Sequence, residues 1–200
     1  MSPGAPCRPL FLLSVADQHN PRSLIYLTGF MGSGKSTIGP ILANTLGFPF
    51  IDIDRLIEEK AGQGVNQIFR ELGEEKFRFL ERDVLHSVSL LKEGVISLGG
   101  GTLANEENFR LIHSNGIIVY LSMSVQEASR RMQNKTDRPL LKDAEGNRLE
   151  ESVLIERIDE LMKQREEFYA RADVIVTTEQ KRVGATVDEI VRQLRPRMNL

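Results

Sequence analysis

Lys35 and Ser36 close the run Gly29-Phe30-Met31-Gly32-Ser33-Gly34-Lys35-Ser36, which has the spacing of a phosphate-binding loop. Glycines let the main chain wrap closely around phosphate oxygens with its N–H groups turned inward, and a helix N-terminus behind the loop adds partial positive charge. In that setting Lys35 reaches the β- and γ-phosphates of a nucleotide, and the Ser36 hydroxyl holds Mg²⁺. Asp52 and Asp54 form a second group on either side of Ile53. On one extended strand these carboxylates share a face, so one serves a metal shell and the other takes or orients a substrate hydroxyl. The alternative is that Asp54 caps a helix running from Arg55 to Lys60. A third group, Gly99-Gly100-Gly101, follows an apolar run directly. Three glycines in a row cost backbone entropy and supply no packing, so they suit a place where a ligand touches main chain, or else a simple turn.

Four arginines add positive charge to this set. Arg138 lies in a polar stretch from Asn134 to Asn147 without a core pattern, a loop of the length of a lid, from which an arginine can close over transferring phosphate. Arg165 falls on the apolar stripe of Leu154, Ile158, Leu161 and Phe168, where a charge needs a partner. A ligand carboxylate suits its planar fork, and an internal ion pair or an outward-bent side chain suits it equally. Arg78 is most simply read as an i, i+4 partner of Glu74. Arg131, beside Arg130 at a helix end, complements the helix dipole or stacks on a purine base.

The elements needed to hold these residues are legible. Leu24–Thr28, Phe50–Ile53, Val95–Leu98, Ile117–Leu121 and Val174–Thr177 read as short, almost continuously apolar strands. Helical spacing covers Ser36–Leu46, Glu74–Leu91, Ser124–Met132, Glu150–Ala170 and Val183–Leu194, with Phe77, Leu80, Val84 and Val88 on the inner stripe of the second. Strands alternating with helices predict an α/β fold: a five-stranded parallel sheet with helices on both faces, P-loop NTPase type, with ligands beyond the carboxyl ends of the strands and a mobile lid at about 133–149.

Two hundred residues at net charge −2 fit one domain, set at 23–200, without the basic field of a nucleic-acid binder. No apolar run approaches the ~18 residues of a spanning helix. With Cys7 the sole cysteine, no intrachain disulfide forms, in keeping with a cytoplasmic location. His19, His86 and His113 have no metal-ligand spacing. Residues 1–22 carry four prolines and the short run Leu10-Phe11-Leu12-Leu13, too short for a signal peptide, and read as a flexible tail or an extended start, with a transit-type segment the weaker alternative.

Taken in order, the loop at 29–36, Asp52-Ile53-Asp54, Glu75-Lys76-Phe77-Arg78, Leu98 with the three glycines, Arg138-Pro139-Leu140-Leu141 and Arg165 resemble the shikimate kinase family, small members of the nucleoside-monophosphate-kinase-like P-loop group. The resemblance runs from about Leu24 to Leu194. It implies ATP-dependent phosphorylation of a shikimate hydroxyl to 3-phosphoshikimate on the route to chorismate and aromatic amino acids. It also implies that Arg78 and Arg165 clamp the shikimate carboxylate and that Asp54 and Gly99, Gly100 and Gly101 complete the substrate site. Catalysis falls to Lys35, Asp54 and Arg138. Nucleotide contacts run over Gly32, Ser33, Gly34, Lys35, Ser36, Thr37, Arg131, Arg138, Gln180 and Lys181, and Mg²⁺ falls to Ser36 and, through water, to Asp52. No nucleic-acid or membrane partner is implied, and a monomer is expected. Two rivals are a kinase for another small polyol acid such as gluconate, and a nucleotide-responsive module without turnover. The chain departs from the pattern at Val95–Leu98, which carries no Walker B acid, and Leu98 stands where some members have a hydroxyl residue.

Overall fold

The computed structural model describes residues 23–133 and 149–198. Five parallel strands, β1 (Leu24–Thr28), β2 (Phe50–Asp52), β3 (Gly94–Ser97), β4 (Gly116–Ser122) and β5 (Val174–Thr177), form one sheet in the order β2-β3-β1-β4-β5. The helices are α1 (Lys35–Leu46), α2 (Ile53–Ala61), α3 (Val65–Ser89), α4 (Glu106–Asn115), α5 (Val125–Met132), α6 (Glu151–Tyr169) and α7 (Val183–Met198), with a 3-10 turn at Thr102–Ala104.

Side-chain alternation along the strands divides the interior. From β1, Leu24 and Tyr26 join Ile53, Ile57, Phe77, Leu80, Val84 and Phe109 of α2, α3 and α4 on one face. Ile25 and Leu27 join Ile38 and Leu42 of α1 and Val187, Ile190 and Leu194 of α7 on the other. This is the doubly covered sheet expected from the apolar runs. The edge strand β5 departs from it: Val174 and Val176 are buried, whereas Ile175 and Thr177 are exposed. A third cluster lies beyond the strand ends, where Phe30 packs with Ala128 and Met132 of α5 and Leu154, Ile158 and Leu161 of α6.

Four local features differ from the sequence reading. β2 ends at Asp52, and Ile53 already belongs to α2. α3 begins before Glu74, at Val65, but breaks at Gly73, whose φ of 79° and ψ of 170° are not helical. α4 was not anticipated, and α7 continues through Pro196 to Met198. Because β3 lies between β2 and β1, the carboxyl ends of those strands deliver Asp52, the three glycines and the phosphate-binding loop side by side. Residues 1–22, Arg138 and nearly all of the lid at 133–149 fall outside the described residues.

Candidate active site

The loop between β1 and α1 is shaped by positive φ at Gly29 (146°), Gly32 (80°) and Gly34 (99°), conformations that L side chains rarely adopt. Space is also limiting. A Cβ at Gly29 would stand 2.6 Å from the Leu121 carbonyl oxygen, and one at Gly32 would stand 2.5 Å from Met132 Cε. Gly34 is the N-cap of α1 and, having no side chain, does not compete with an anion for the start of the helix. Lys35 Nζ donates to the Gly29 carbonyl at 2.7 Å and to the Phe30 carbonyl at 3.4 Å, which holds the ammonium on the loop it would share with phosphate. Ser33 is buried, whereas Ser36 and Thr37 are exposed at the start of the helix.

Asp52 and Asp54 do not share a strand face, contrary to the expectation from their spacing. Asp52 is the N-cap of α2, and its Oδ1 accepts the N–H groups of Asp54 at 3.1 Å and Arg55 at 3.4 Å. Asp54 sits in the first turn of the helix. The capping residue is therefore Asp52 rather than Asp54, and the carboxylate of Asp54 turns toward the glycines.

Each glycine of the triplet faces one of the charged groups singled out above. A Cβ on Gly99 would lie 3.0 Å from Asp54 Oδ1, one on Gly100 would lie 2.9 Å from Arg165 Nη1, and one on Gly101 would lie 3.0 Å from Arg78 Nη2. The triplet is selected by the close approach of three side chains: Asp54, Arg78 and Arg165 are brought together from α2, α3 and α6.

Arg78 has the expected partner Glu74, at 3.1 Å, and a second, Glu81, at 2.8 Å. Burial alone would lower the Arg78 guanidinium; the charge of Glu81 and its hydrogen bond, with Glu74 behind them, outweigh that and hold it above its ordinary value. Glu81 is 1% exposed. Its other oxygen accepts from Thr102 Oγ1 at 2.7 Å, and Asn108 Nδ2 donates to the Thr102 carbonyl at 3.1 Å. A buried carboxylate is tolerable when satisfied in this way, and the network ties Arg78 to the segment just after the glycines. Sequence reading missed Glu81. The available signal was its place on the apolar stripe between Phe77 and Val84, the same anomaly that marked Arg165.

Arg165 is half-buried, with its guanidinium carbon 5.8 Å from the centroid of the Phe30 ring. One turn on, Tyr169 donates to the Gly100 carbonyl at 3.2 Å and stacks on Tyr120. Burial raises the Tyr169 hydroxyl above its usual range, and the neighbouring positive charge of Arg165 pulls it down in part.

Arg131 joins three segments. Its Nη1 donates to the Gly32 carbonyl at 3.0 Å and to Thr178 Oγ1 at 3.2 Å, its Nη2 to the Thr178 carbonyl at 2.9 Å, and its Nε to Glu127 at 2.6 Å. Guanidinium N–H groups point within its plane, so these bonds do not themselves occupy its faces. Hydrogen bonds from Arg130, reinforced by Arg131 and only partly opposed by burial, hold the Glu127 carboxyl down at about 2. Gln180 has a positive φ of 53° in the turn after Thr178, and Lys181 pairs with Glu189 on α7 at 2.7 Å.

A family model described as shikimate kinase matches residues 31–195. The chain belongs to the shikimate kinase family. A shikimate kinase of Chlorobaculum parvum is 51% identical over 172 residues, covering 86% of this chain and 92% of its own. One from Chlorobium limicola is 52% identical, covering 86% of each. Among solved structures, shikimate kinase from Acinetobacter baumannii in complex with shikimate is 31% identical, with a TM-score of 0.78 over 87% of this chain and 93% of that one. Membership brings the family's reaction, transfer of a phosphoryl group from ATP to a hydroxyl of shikimate. It thereby sets aside both the gluconate-type kinase and the module without turnover. Among the described residues, no helix is long and apolar enough to cross a membrane.

Proposed function

We propose that the groups around the three glycines bind shikimate and that the loop at 29–36 presents ATP to it. The convergence of Asp54, Arg165 and Arg78 on Gly99, Gly100 and Gly101, each within 3.0 Å of where a Cβ would stand, is the observation that carries this reading. Two guanidinium groups suit one carboxylate, and an acid beside main-chain amides suits hydroxyls. Asp54 orients the attacking hydroxyl and accepts its proton late, giving 3-phosphoshikimate. Lys35 stabilises charge spread over the moving phosphoryl oxygens, and Arg138 does the same from sequence positions outside the described residues. The face of Arg131 takes adenine against the segment containing Gln180 and Lys181.

The donor set also suits Mg²⁺. Ser36 and Asp52 offer hard oxygen atoms only, and both capping bonds of Asp52 end on Oδ1. Among the described residues no group of three or more His, Cys, Asp or Glu gathers, which fits an ion that binds through one or two protein oxygens plus phosphate. When bound, Mg²⁺ neutralises phosphate charge. We further propose a monomeric cytoplasmic enzyme built on residues 23–200; the gathering of the site from α2, α3 and α6 of one chain supports the first part.

Coupled ADP release over a panel of hydroxy acids tests this reading. Turnover is expected with shikimate and not with gluconate, is expected to cease with EDTA, and is expected to return with excess Mg²⁺. Full turnover in EDTA would remove the metal assignment, and equal rates with gluconate would remove the selectivity for shikimate assigned to this site.

A further inference from the structure

Two arginines of the proposed carboxylate site are held in different ways. Arg78 is held by its edge, through hydrogen bonds from Nε, Nη1 and Nη2 to Glu74 and Glu81. Arg165 shares a hydrogen bond with the Tyr169 hydroxyl and also meets an aromatic face, the Phe30 ring, which takes none of its N–H groups. Phe30 is 1% exposed and fixed by Leu154, Ile158 and Leu161 of α6 and by Ala128 and Met132 of α5. Its carbonyl accepts from Ser33 N at 3.1 Å and from Lys35 Nζ. One residue of the phosphate-binding loop thus touches the catalytic lysine through its main chain and the substrate arginine through its ring.

We propose that Phe30 is a positioning residue for Arg165: its ring restrains the guanidinium beside Gly100 without taking a donor, so that the N–H groups not shared with the Tyr169 hydroxyl are left for the substrate carboxylate. An arginine side chain has several rotatable bonds, and ordering it costs conformational entropy at the moment of binding unless the protein has already restrained it. A flat apolar face restrains the plane without occupying donors, which a carboxylate partner would not do. This inference rests on the reading of Arg165 as a carboxylate ligand.

Calorimetric titration of shikimate without nucleotide, on the wild type, Phe30→Leu, Arg165→Ala and the double variant, tests it. Phe30→Leu is expected to weaken shikimate binding by about three- to tenfold, the range of a partly desolvated cation–π contact. In the Arg165→Ala background the same change is expected to have an effect of about twofold or less, because there is no guanidinium left to position. The KM for ATP is expected to shift by about twofold or less, since the Phe30 carbonyl is retained. Phe30→Met, close in volume, repeats the measurement if the leucine variant folds poorly. Equal weakening in both backgrounds would show that Phe30 acts by packing alone and would overturn the proposal. An unchanged Kd in Phe30→Leu beside a weakened Arg165→Ala would also overturn it while leaving the carboxylate reading intact. An unchanged Kd in Arg165→Ala would overturn that reading itself.

Discussion

Lys35→Met is expected to lower kcat by at least about a hundredfold, the scale on which removing one preorganised electrostatic group raises a barrier. Methionine keeps an unbranched apolar stem and removes the charge. In the wild type that charge is already on the loop, 2.7 Å from the Gly29 carbonyl, so it does not have to be recruited from solvent when phosphate arrives. The loop itself is shaped by the glycines at 29, 32 and 34, which the substitution does not touch, so the melting temperature is expected to move by only a few degrees. Steady-state kinetics on a variant shown by circular dichroism to be folded decides the matter. Near-normal turnover would remove Lys35 from the reaction.

Arg165→Lys is expected to weaken shikimate binding by roughly 1.5–3 kcal/mol, the scale of a hydrogen bond to a charged group, with ATP affinity little changed. Lysine keeps the positive charge but not the fork that meets both oxygens of a carboxylate. An internal ion pair was the equal alternative from sequence. Among the described residues the ion pairs do not include Arg165, whose neighbours include the Phe30 ring, the Gly100 main chain and the Tyr169 hydroxyl. Stability should accordingly change little. Melting temperature and shikimate Kd measured on one preparation separate the two accounts: a depressed melting temperature with an unchanged Kd would return Arg165 to a structural role.

The parts of the site that were legible in the sequence are those where one residue type has a single physical use. Glycines at fixed spacing before Lys35 describe a phosphate loop without reference to the rest of the chain, and Arg165 was conspicuous as a charge on an apolar stripe. β1 and β5 have the bounds expected from their apolar runs. Legibility ended where two elements compete for the same residue. Asp52-Ile53-Asp54 reads as strand by alternation, yet Asp52 gives more by accepting two helix N–H groups, and Ile53 is buried equally well at the start of α2. The pairing of each glycine with one charged group was beyond reach for a different reason: it depends on the sheet order β2-β3-β1, which no local pattern encodes. The Arg78–Glu81–Thr102 network shows both limits, with the i, i+3 contact readable along α3 and the contact to Thr102 created only by the fold.

The break at Gly73 divides α3 into two units of unequal security. Nothing lies within 4 Å of where its Cβ would stand, so backbone conformation alone, not space, asks for glycine there. Helical order propagates through successive i to i−4 hydrogen bonds, and a residue outside helical geometry interrupts that propagation. On the Val65–Leu72 side only Ile68 is buried, and Phe69 and Leu72 are exposed; on the other side Phe77, Leu80, Val84, Leu85 and Val88 are buried. The first segment can therefore open to solvent without drawing the second with it, and its amides should exchange hydrogen well before those around Arg78. The backbone that carries the guanidinium assigned to the substrate carboxylate is in this way separated from fraying of the first segment, the link between the two near Arg78 being one of side chains, with the Phe69 ring 4.5 Å from that of Phe77.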